Sequence, residues 1–237
     1  AVTIMEEVTK VHLTKEIKEI ITKQNHYFTK SVIIATGATP KHLDLPNEKE
    51  LIGKGVHYCA SCDGMFYKDK TVVVVGGGNT ALTDALLLSR LAKQVFLVHR
   101  RDTLRAAKVY QEQMTNTENI RFIPKHVVSE LLPRENGLDV ILKSVSGNEL
   151  MPIACDGLFA SIGHYPATDL FRGAIDLEDS GYIKANESTC TNLPGVFAAG
   201  DVRTKPMRQI VTATADGAVA ALHAENYVAD FGAESKR

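Results

Sequence analysis

The sequence predicts an α/β fold built on a parallel sheet, and three observations predict it. The apolar run Thr71–Val75 passes at once into Gly76-Gly77-Gly78-Asn79-Thr80-Ala81. A helical stretch follows over about residues 80–92, with Ala81, Ala85, Leu88 and Ala92 at helical spacing. A second strand-like run then covers residues 94–99. Strand, glycine turn, helix and strand in that order make a parallel pair, because parallel neighbours need a crossover between them.

The bulk properties agree with an ordinary globular chain. It has 237 residues, 44% of them hydrophobic, with 27 basic and 28 acidic side chains and a net charge of −1. That is enough for one large domain or two ordinary ones. A near-zero charge gives no general attraction to nucleic acid or to a membrane surface. No apolar run is long enough to span a bilayer, and no signal-peptide pattern opens the chain. Four cysteines in a chain of this size do not make a disulfide scaffold, so a cytoplasmic location is expected.

Taken in order, residues 1–34 read as strand material. Residues 3–13 alternate loosely, 15–23 alternate charge with isoleucine, and 26–29 lead into the buried-strand pattern of 31–34. Ala1-Val2-Thr3 does not read as an initiation site, so an upstream segment is expected to be missing. Residues 41–54 are polar, carry Pro46 and Gly53, and read as a linker. Beyond the glycine turn, residues 104–116 read as a charged helix and 121–124 as a short strand. Residues 127–132 and 138–145 flank a turn containing Asn136-Gly137, and 149–153 follow a turn at Gly147-Asn148. Residues 156–162 and 195–201 read as buried strands, and residues 209–228 as a long alanine-rich helix.

Four constellations carry chemistry. The glycine loop fits G-x-G-x-x-A. Its first glycine makes the tight turn, its second lets backbone approach a pyrophosphate, and Ala81 lets helix pack on strand. The helix N-terminus then faces the phosphates. A plain glycine turn is the alternative, and the flanking strand and helix argue against it. After the second strand come His99-Arg100-Arg101-Asp102 and Arg105. An acid at this place would bind ribose hydroxyls, whereas arginines suit a 2′-phosphate, so NADPH is expected rather than NADH. A solvated basic patch is the bland reading.

The third is Cys59-Ala60-Ser61-Cys62-Asp63. Such a pair suits thiol–disulfide exchange, with Asp63 placed to carry a proton. Zinc is the rival and would need two further ligands; Cys155 and Cys190 are isolated and read as structural, and no metal site is expected. The fourth is Gly200-Asp201 at a strand end, suited to polyol hydroxyls, or else an aspartate N-cap. Arg208-Gln209 follow at a helix start.

Together these motifs resemble the low-molecular-weight thioredoxin reductases, flavoproteins of the pyridine nucleotide-disulfide oxidoreductase class. The resemblance runs from about residue 31 to the C-terminus. It rests on Ala35-Thr36-Gly37, Cys59 to Gly64, Gly76 to Ala81, His99 to Asp102 with Arg105-Ala106, Gly163-His164-Tyr165-Pro166, residues 194–201 and Arg208-Gln209. It implies two Rossmann-like three-layer (ββα) dinucleotide-binding domains. An FAD domain, residues 1–42 and 156–237, would be interrupted by an NADPH domain, 43–155, that holds the CxxC. The FAD domain would be incomplete at its N-terminus, because the glycine loop at Gly76 is the only one in the chain.

The same resemblance implies roles. Cys62 would lie nearest the flavin, Cys59 would attack the thioredoxin disulfide, and Asp63 would be the acid/base. Gly76, Gly78, Asn79, Thr80 and Ala81 would hold the NADPH pyrophosphate region. His99, Arg100, Arg101 and Arg105 would surround the 2′-phosphate. Gly37, Gly200 and Asp201 would bind FAD, with Arg208, Gln209 and Ile210 near its ring system. Thioredoxin is the implied partner and a homodimer the implied assembly of the intact protein, with no nucleic acid and no membrane. A peroxiredoxin reductase, a ferredoxin-linked relative and a flavin-free NADPH-binding module are the alternatives. Hinges between the domains are expected near residues 43–54 and 154–156. Three positions depart from the family pattern. Asp84 stands where the pattern has two acids, Ala167 where it has asparagine, and Ala215 where it has glycine.

Overall fold

The computed structural model describes residues 2–234. The chain forms two compact units, one being Pro40–His164 and the other the residues on either side of it. The second crossing between them falls later than residue 155, because strand Gly157–Ala160 pairs within the sheet of the central unit.

That sheet is parallel and five-stranded, in the order Val56–His57, Gly157–Ala160, Thr71–Val75, Gln94–Val98, Ile120–Ile123. Thr71–Val75 lies at its centre, with Thr71 opposite Gln94 and Val75 opposite Val98 on one side, and Gly157 opposite Val72 on the other. Its four consecutive valines are buried, which only a sheet covered on both faces permits. Val72 and Val74 pack with Ala81, Leu82, Ala85 and Leu88 of the helix Asn79–Ser89. Val73 and Val75 pack with Leu131, Leu138, Val140, Leu142 and Ile153 of an antiparallel sheet made by His126–Arg134, Gly137–Ser144 and Leu150–Cys155. Burying each valine, leucine or isoleucine among them contributes about 1.5–3 kcal/mol.

Two local expectations change. The charged helix starts at Lys108 rather than at 104, and ends at Thr115. The backbone before it is claimed elsewhere: the Arg105 N–H donates to the Gly77 carbonyl at 2.7 Å, and the Ala107 N–H to Asn79 Oδ1 at 2.8 Å. The hairpin turn consists of Glu135 and Asn136, since Arg134 already pairs with Gly137. Gly137 begins the returning strand at φ +108°, where a Cβ would collide with the Cys155 carbonyl.

The expected linker also carries structure. Residues 41–54 contain the helix Glu48–Leu51, and Glu48 is 1% exposed. Its carboxylate accepts from the Tyr58 hydroxyl at 2.5 Å, from the Leu43 N–H at 2.9 Å and from the Leu45 N–H at 3.4 Å. Burial alone would raise this carboxyl, but those donors outweigh it and hold it below the usual range.

In the other unit, Val8–His12, Lys18–Thr22 and His26–Thr29 form an antiparallel sheet. Val32–Ile34 runs parallel to Val196–Ala198, with Val32 opposite Val196. The helix Ile210–Glu234 is longer than expected and sets Ala220 and Tyr227 against Phe197 and Ala199. Ala167 and Ala215 are exposed. Among the described residues no helix is long and apolar enough to cross a membrane.

Replacing Glu48 by alanine leaves the Tyr58 hydroxyl and two backbone donors without their acceptor. The expected loss is about 2–4 kcal/mol in the central unit, read as a lower urea midpoint with unchanged slope.

Candidate functional site

Cys59 and Cys62 are joined as a disulfide at the start of the short helix Ala60–Asp63. Cys62 is exposed and Cys59 half-buried. The Cys62 N–H points at Cys59 Sγ at 3.1 Å, and the Ser61 hydroxyl lies 3.4 Å from it. Both are donors that favour a thiolate on Cys59 once the bond is reduced. Met65 and Phe66, 67% and 72% exposed, flank the pair with an apolar surface. Among the described residues no group of three or more His, Cys, Asp or Glu is assembled for a metal. Cys155 lies in the core, and burial pushes its thiol up to about 12.

Asp63 has a partner that spacing alone does not reveal. Its Oδ2 lies 2.9 Å from His57 Nδ1, and His57 Nε2 lies 2.6 Å from the Tyr67 hydroxyl. His57 is 7% exposed and its ring stacks on Phe159 at 5.2 Å. Burial, and then the charge of Asp63, push the Tyr67 hydroxyl up to about 12. Gly157 makes the room, since a Cβ there would collide with the Tyr67 ring. The sequence signal is weak: His57 ends one strand, and Phe159 and Gly157 come from another about a hundred residues on.

At the glycine loop the three glycines do different work. A Cβ on Gly76 would collide with the Ser161 carbonyl and lie 2.7 Å from the Ala81 methyl. A Cβ on Gly77 would collide with the His99 ring. A Cβ on Gly78 would meet nothing within 4 Å, so this backbone stands open at the helix start. A pyrophosphate needs that opening. Thr80 is exposed on the first turn, whereas the Asn79 side chain is used to hold Ala107.

The bond from Arg105 to Gly77 and that from Ala107 to Asn79 tie the arginine loop to the glycine loop. Arg100, Arg101 and Arg105 are exposed, and among the described residues none of them forms an ion pair. His99 is buried beside them, with Nε2 lacking a partner among the described residues. Burial and then the three arginine charges hold its imidazole below the ordinary value. Asp84, on the same helix, accepts from the Ser161 hydroxyl at 2.6 Å, and burial raises its carboxyl.

In the other unit Asp201 lies in the single turn Gly200–Val202 and caps no helix; the long helix begins later, at Ile210. Among the described residues Asp201 Oδ1 is buried with no hydrogen-bond partner, an acceptor left for a donor such as a polyol hydroxyl. A cluster not foreseen from sequence holds this turn. The Gly200 N–H, at φ +74°, donates to Asp216 Oδ2 at 3.0 Å. Arg203 reaches both Asp216 oxygens at 2.9 Å, and Lys205 adds a contact at 2.6 Å. Burial alone would raise Asp216, but these bonds outweigh it and hold the carboxyl far below the usual range. Arg208 stacks on Tyr182, 3.8 Å from the ring centre, and its Nε is buried without a partner among the described residues. The Gln209 N–H donates to Thr212 Oγ1, and Ile210 is 87% exposed. Gly37 turns at φ +73°, and its carbonyl accepts from the Ala167 N–H.

A family profile described as pyridine nucleotide-disulphide oxidoreductase matches residues 1–217. The chain is similar to the thioredoxin reductase of Peptoclostridium litorale, 41% identical over 239 aligned positions that cover 98% of this chain and 75% of that one. It is likewise similar to the thioredoxin reductase of Streptomyces coelicolor, 44% identical, covering 98% of this chain and 73% of that one. Among solved structures, thioredoxin reductase from Streptococcus pyogenes superposes with a TM-score of 0.88 at 36% identity, covering 95% and 74% of the two chains. That from Giardia duodenalis gives 0.90 at 32%, covering 95% and 75%.

The Asp216 cluster has a pH signature. Its carboxyl is lowered in the fold, so its contribution is complete above the unfolded aspartate value of about 3.9 and fades as pH falls below it. Acid unfolding of this unit is expected to begin near there. Asp216→Asn should be destabilised at neutral pH and show a flatter dependence below pH 4, as followed by thermal melts.

Proposed function

The chain belongs to the thioredoxin reductase family of pyridine nucleotide-disulphide oxidoreductases, and on that premise we propose that it carries electrons from NADPH through FAD to the Cys59–Cys62 pair and on to thioredoxin. The observation that carries the reading is the pair itself, a disulfide with donors at Cys59 Sγ, a carboxylate next in sequence to Cys62, and an apolar exposed flank. FAD and NADPH supply hydride transfer when bound.

The residues present fit both groups. Gly78 leaves backbone open at a helix start for the NADPH pyrophosphate, and Arg100, Arg101 and Arg105 offer planar forks without carboxylate partners for the 2′-phosphate. Asp201 Oδ1 offers a buried acceptor for the ribityl hydroxyls of FAD, and we assign Gly200, Gly37, Arg208, Gln209 and Ile210 to the same side of the FAD site. We assign the NADPH domain to Pro40–His164 and the FAD domain to the residues around it. Thioredoxin is the protein partner, and the protein is a cytoplasmic homodimer.

The chain's own chemistry is thiol exchange. With the pair reduced, the Cys59 thiolate attacks one sulfur of the partner disulfide and expels the other as thiolate, forming a mixed disulfide. Cys62, giving its proton to Asp63, attacks Cys59 Sγ and closes the Cys59–Cys62 bond. The partner's second sulfur leaves as a thiolate; two electrons have passed to it, and its two thiolates take up the proton that Asp63 received from Cys62 and one from water. Ser61 and the Cys62 N–H stabilise the attacking thiolate, and Met65 and Phe66 offer exposed apolar surface to the partner.

NADPH oxidation coupled to thioredoxin disulfide reduction, measured with FAD present, tests the reading. Cys62→Ser should abolish turnover, and retained turnover would remove the pair from the reaction. Replacing both Arg100 and Arg101 by alanine should weaken NADPH binding at least tenfold while leaving NADH nearly unchanged, by titration calorimetry. Equal losses for both nucleotides would sink the 2′-phosphate assignment.

A further inference from the structure

His57 and Tyr67 lie outside every role assigned so far, yet both are buried and both bear on Asp63. Counting protons fixes how they are arranged. Asp63, when ionised, can only accept, so the His57 nitrogen facing it, Nδ1, must carry hydrogen. The Tyr67 hydroxyl proton stays in place at neutral pH, because burial pushes that group up to about 12. Among the described residues the one hydrogen-bond partner of this hydroxyl is His57 Nε2. A buried hydroxyl without an acceptor is costly, so Nε2 accepts and carries no hydrogen. The imidazole is then neutral, donating at Nδ1 and accepting at Nε2. The rings are wedged in place: His57 stacks on Phe159, and Tyr67 meets the edges of both at 5.2 and 5.3 Å.

We infer that His57 and Tyr67 are positioning residues for Asp63: Tyr67 sets the ring proton of His57 on Nδ1, and that N–H holds one oxygen of Asp63 so that the other exchanges a proton with the adjoining cysteine. The inference rests on the reading of Cys59–Cys62 as the redox pair. Its consequence is visible in the simplest exchange, reduction by dithiothreitol. As one dithiothreitol sulfur attacks a sulfur of the pair, its thiol proton passes to the free oxygen of ionised Asp63, which hands it to the cysteine sulfur that is expelled. The Nδ1–H bond keeps the other Asp63 oxygen in place throughout. The second dithiothreitol sulfur then closes its own ring and expels the remaining cysteine sulfur, which is protonated in turn. Two electrons and two protons leave dithiothreitol and arrive on Cys59 and Cys62.

Two measurements on this chain, neither needing FAD or NADPH, test the inference. Ring 15N spectra of His57 should show Nδ1 protonated and Nε2 bare, and Tyr67→Phe should lose that preference; an Nε2-protonated ring in the unaltered chain would overturn the arrangement. In stopped-flow reduction by dithiothreitol, Asp63→Asn and His57→Phe should each slow the reaction about tenfold. The double variant should be no slower than Asp63→Asn alone, because His57 acts through Asp63. His57→Asn, whose amide N–H can replace the Nδ1 donor, should recover most of the rate. Multiplying losses in the double variant would overturn the inference while leaving the redox reading intact. An unaffected Asp63→Asn would overturn the inference and the acid/base role of Asp63, while the reading of the pair itself stands or falls with Cys62→Ser. Tyr67→Phe keeps its ring and the packing on Phe159, and it takes the place of His57→Phe in the cycle should that variant fail to fold.

Discussion

A Cβ on Gly76 would collide with the Ser161 carbonyl and press the Ala81 methyl, and much of the central unit follows from that close approach. The strand Thr71–Val75, the end of the neighbouring strand Gly157–Ala160 and the first turn of the helix all converge there. Any side chain would push the helix off the sheet and open the core formed by Val72, Val74, Leu82, Ala85 and Leu88. Gly77 extends the same constraint outward, because the buried His99 ring occupies the space where its side chain would be. With both neighbours closed, only Gly78 leaves backbone open to a ligand. The phosphate cradle is thus the gap left once strand, helix and histidine have packed.

Two buried carboxylates impose order at the loops in a comparable way. Glu48 gathers the Tyr58 hydroxyl and two backbone N–H groups, which shapes the chain just before Cys59. Asp216 gathers Arg203, Lys205 and the Gly200 N–H, which shapes the turn that carries Asp201. In each case burial opposes the charge and several donors overcome it, so removing the carboxylate would leave donors stranded. Neither group touches the reacting sulfurs. Each holds the backbone that places a residue with chemistry to do.

The dithiol combines a rigid support with an accessible surface. His57, Tyr67 and Phe159 form a packed aromatic base beneath Asp63, drawn from two strands and a single-turn helix. Above it Cys62, Met65 and Phe66 are exposed. A thiol that must meet another protein's disulfide needs that openness, while proton transfer needs a carboxylate held still.

By itself the sequence determined the strand–glycine–helix–strand unit, the CxxC, the arginine cluster and the alanine-rich last helix. Each is a local pattern, set by side-chain period or by the steric needs of a turn, and so is visible in a window of a few residues. Only the tertiary structure decided that the arginine loop is tied to Gly77 and Asn79, which delays the helix to Lys108. It alone revealed that residues 41–54 hold a buried glutamate rather than a solvated linker, that Asp201 keeps an unpartnered oxygen instead of capping a helix, and that Asp63 is held by His57. Burial and hydrogen-bond partnership join residues far apart in sequence, and a polar side chain reads the same on paper whether it faces water or a buried donor.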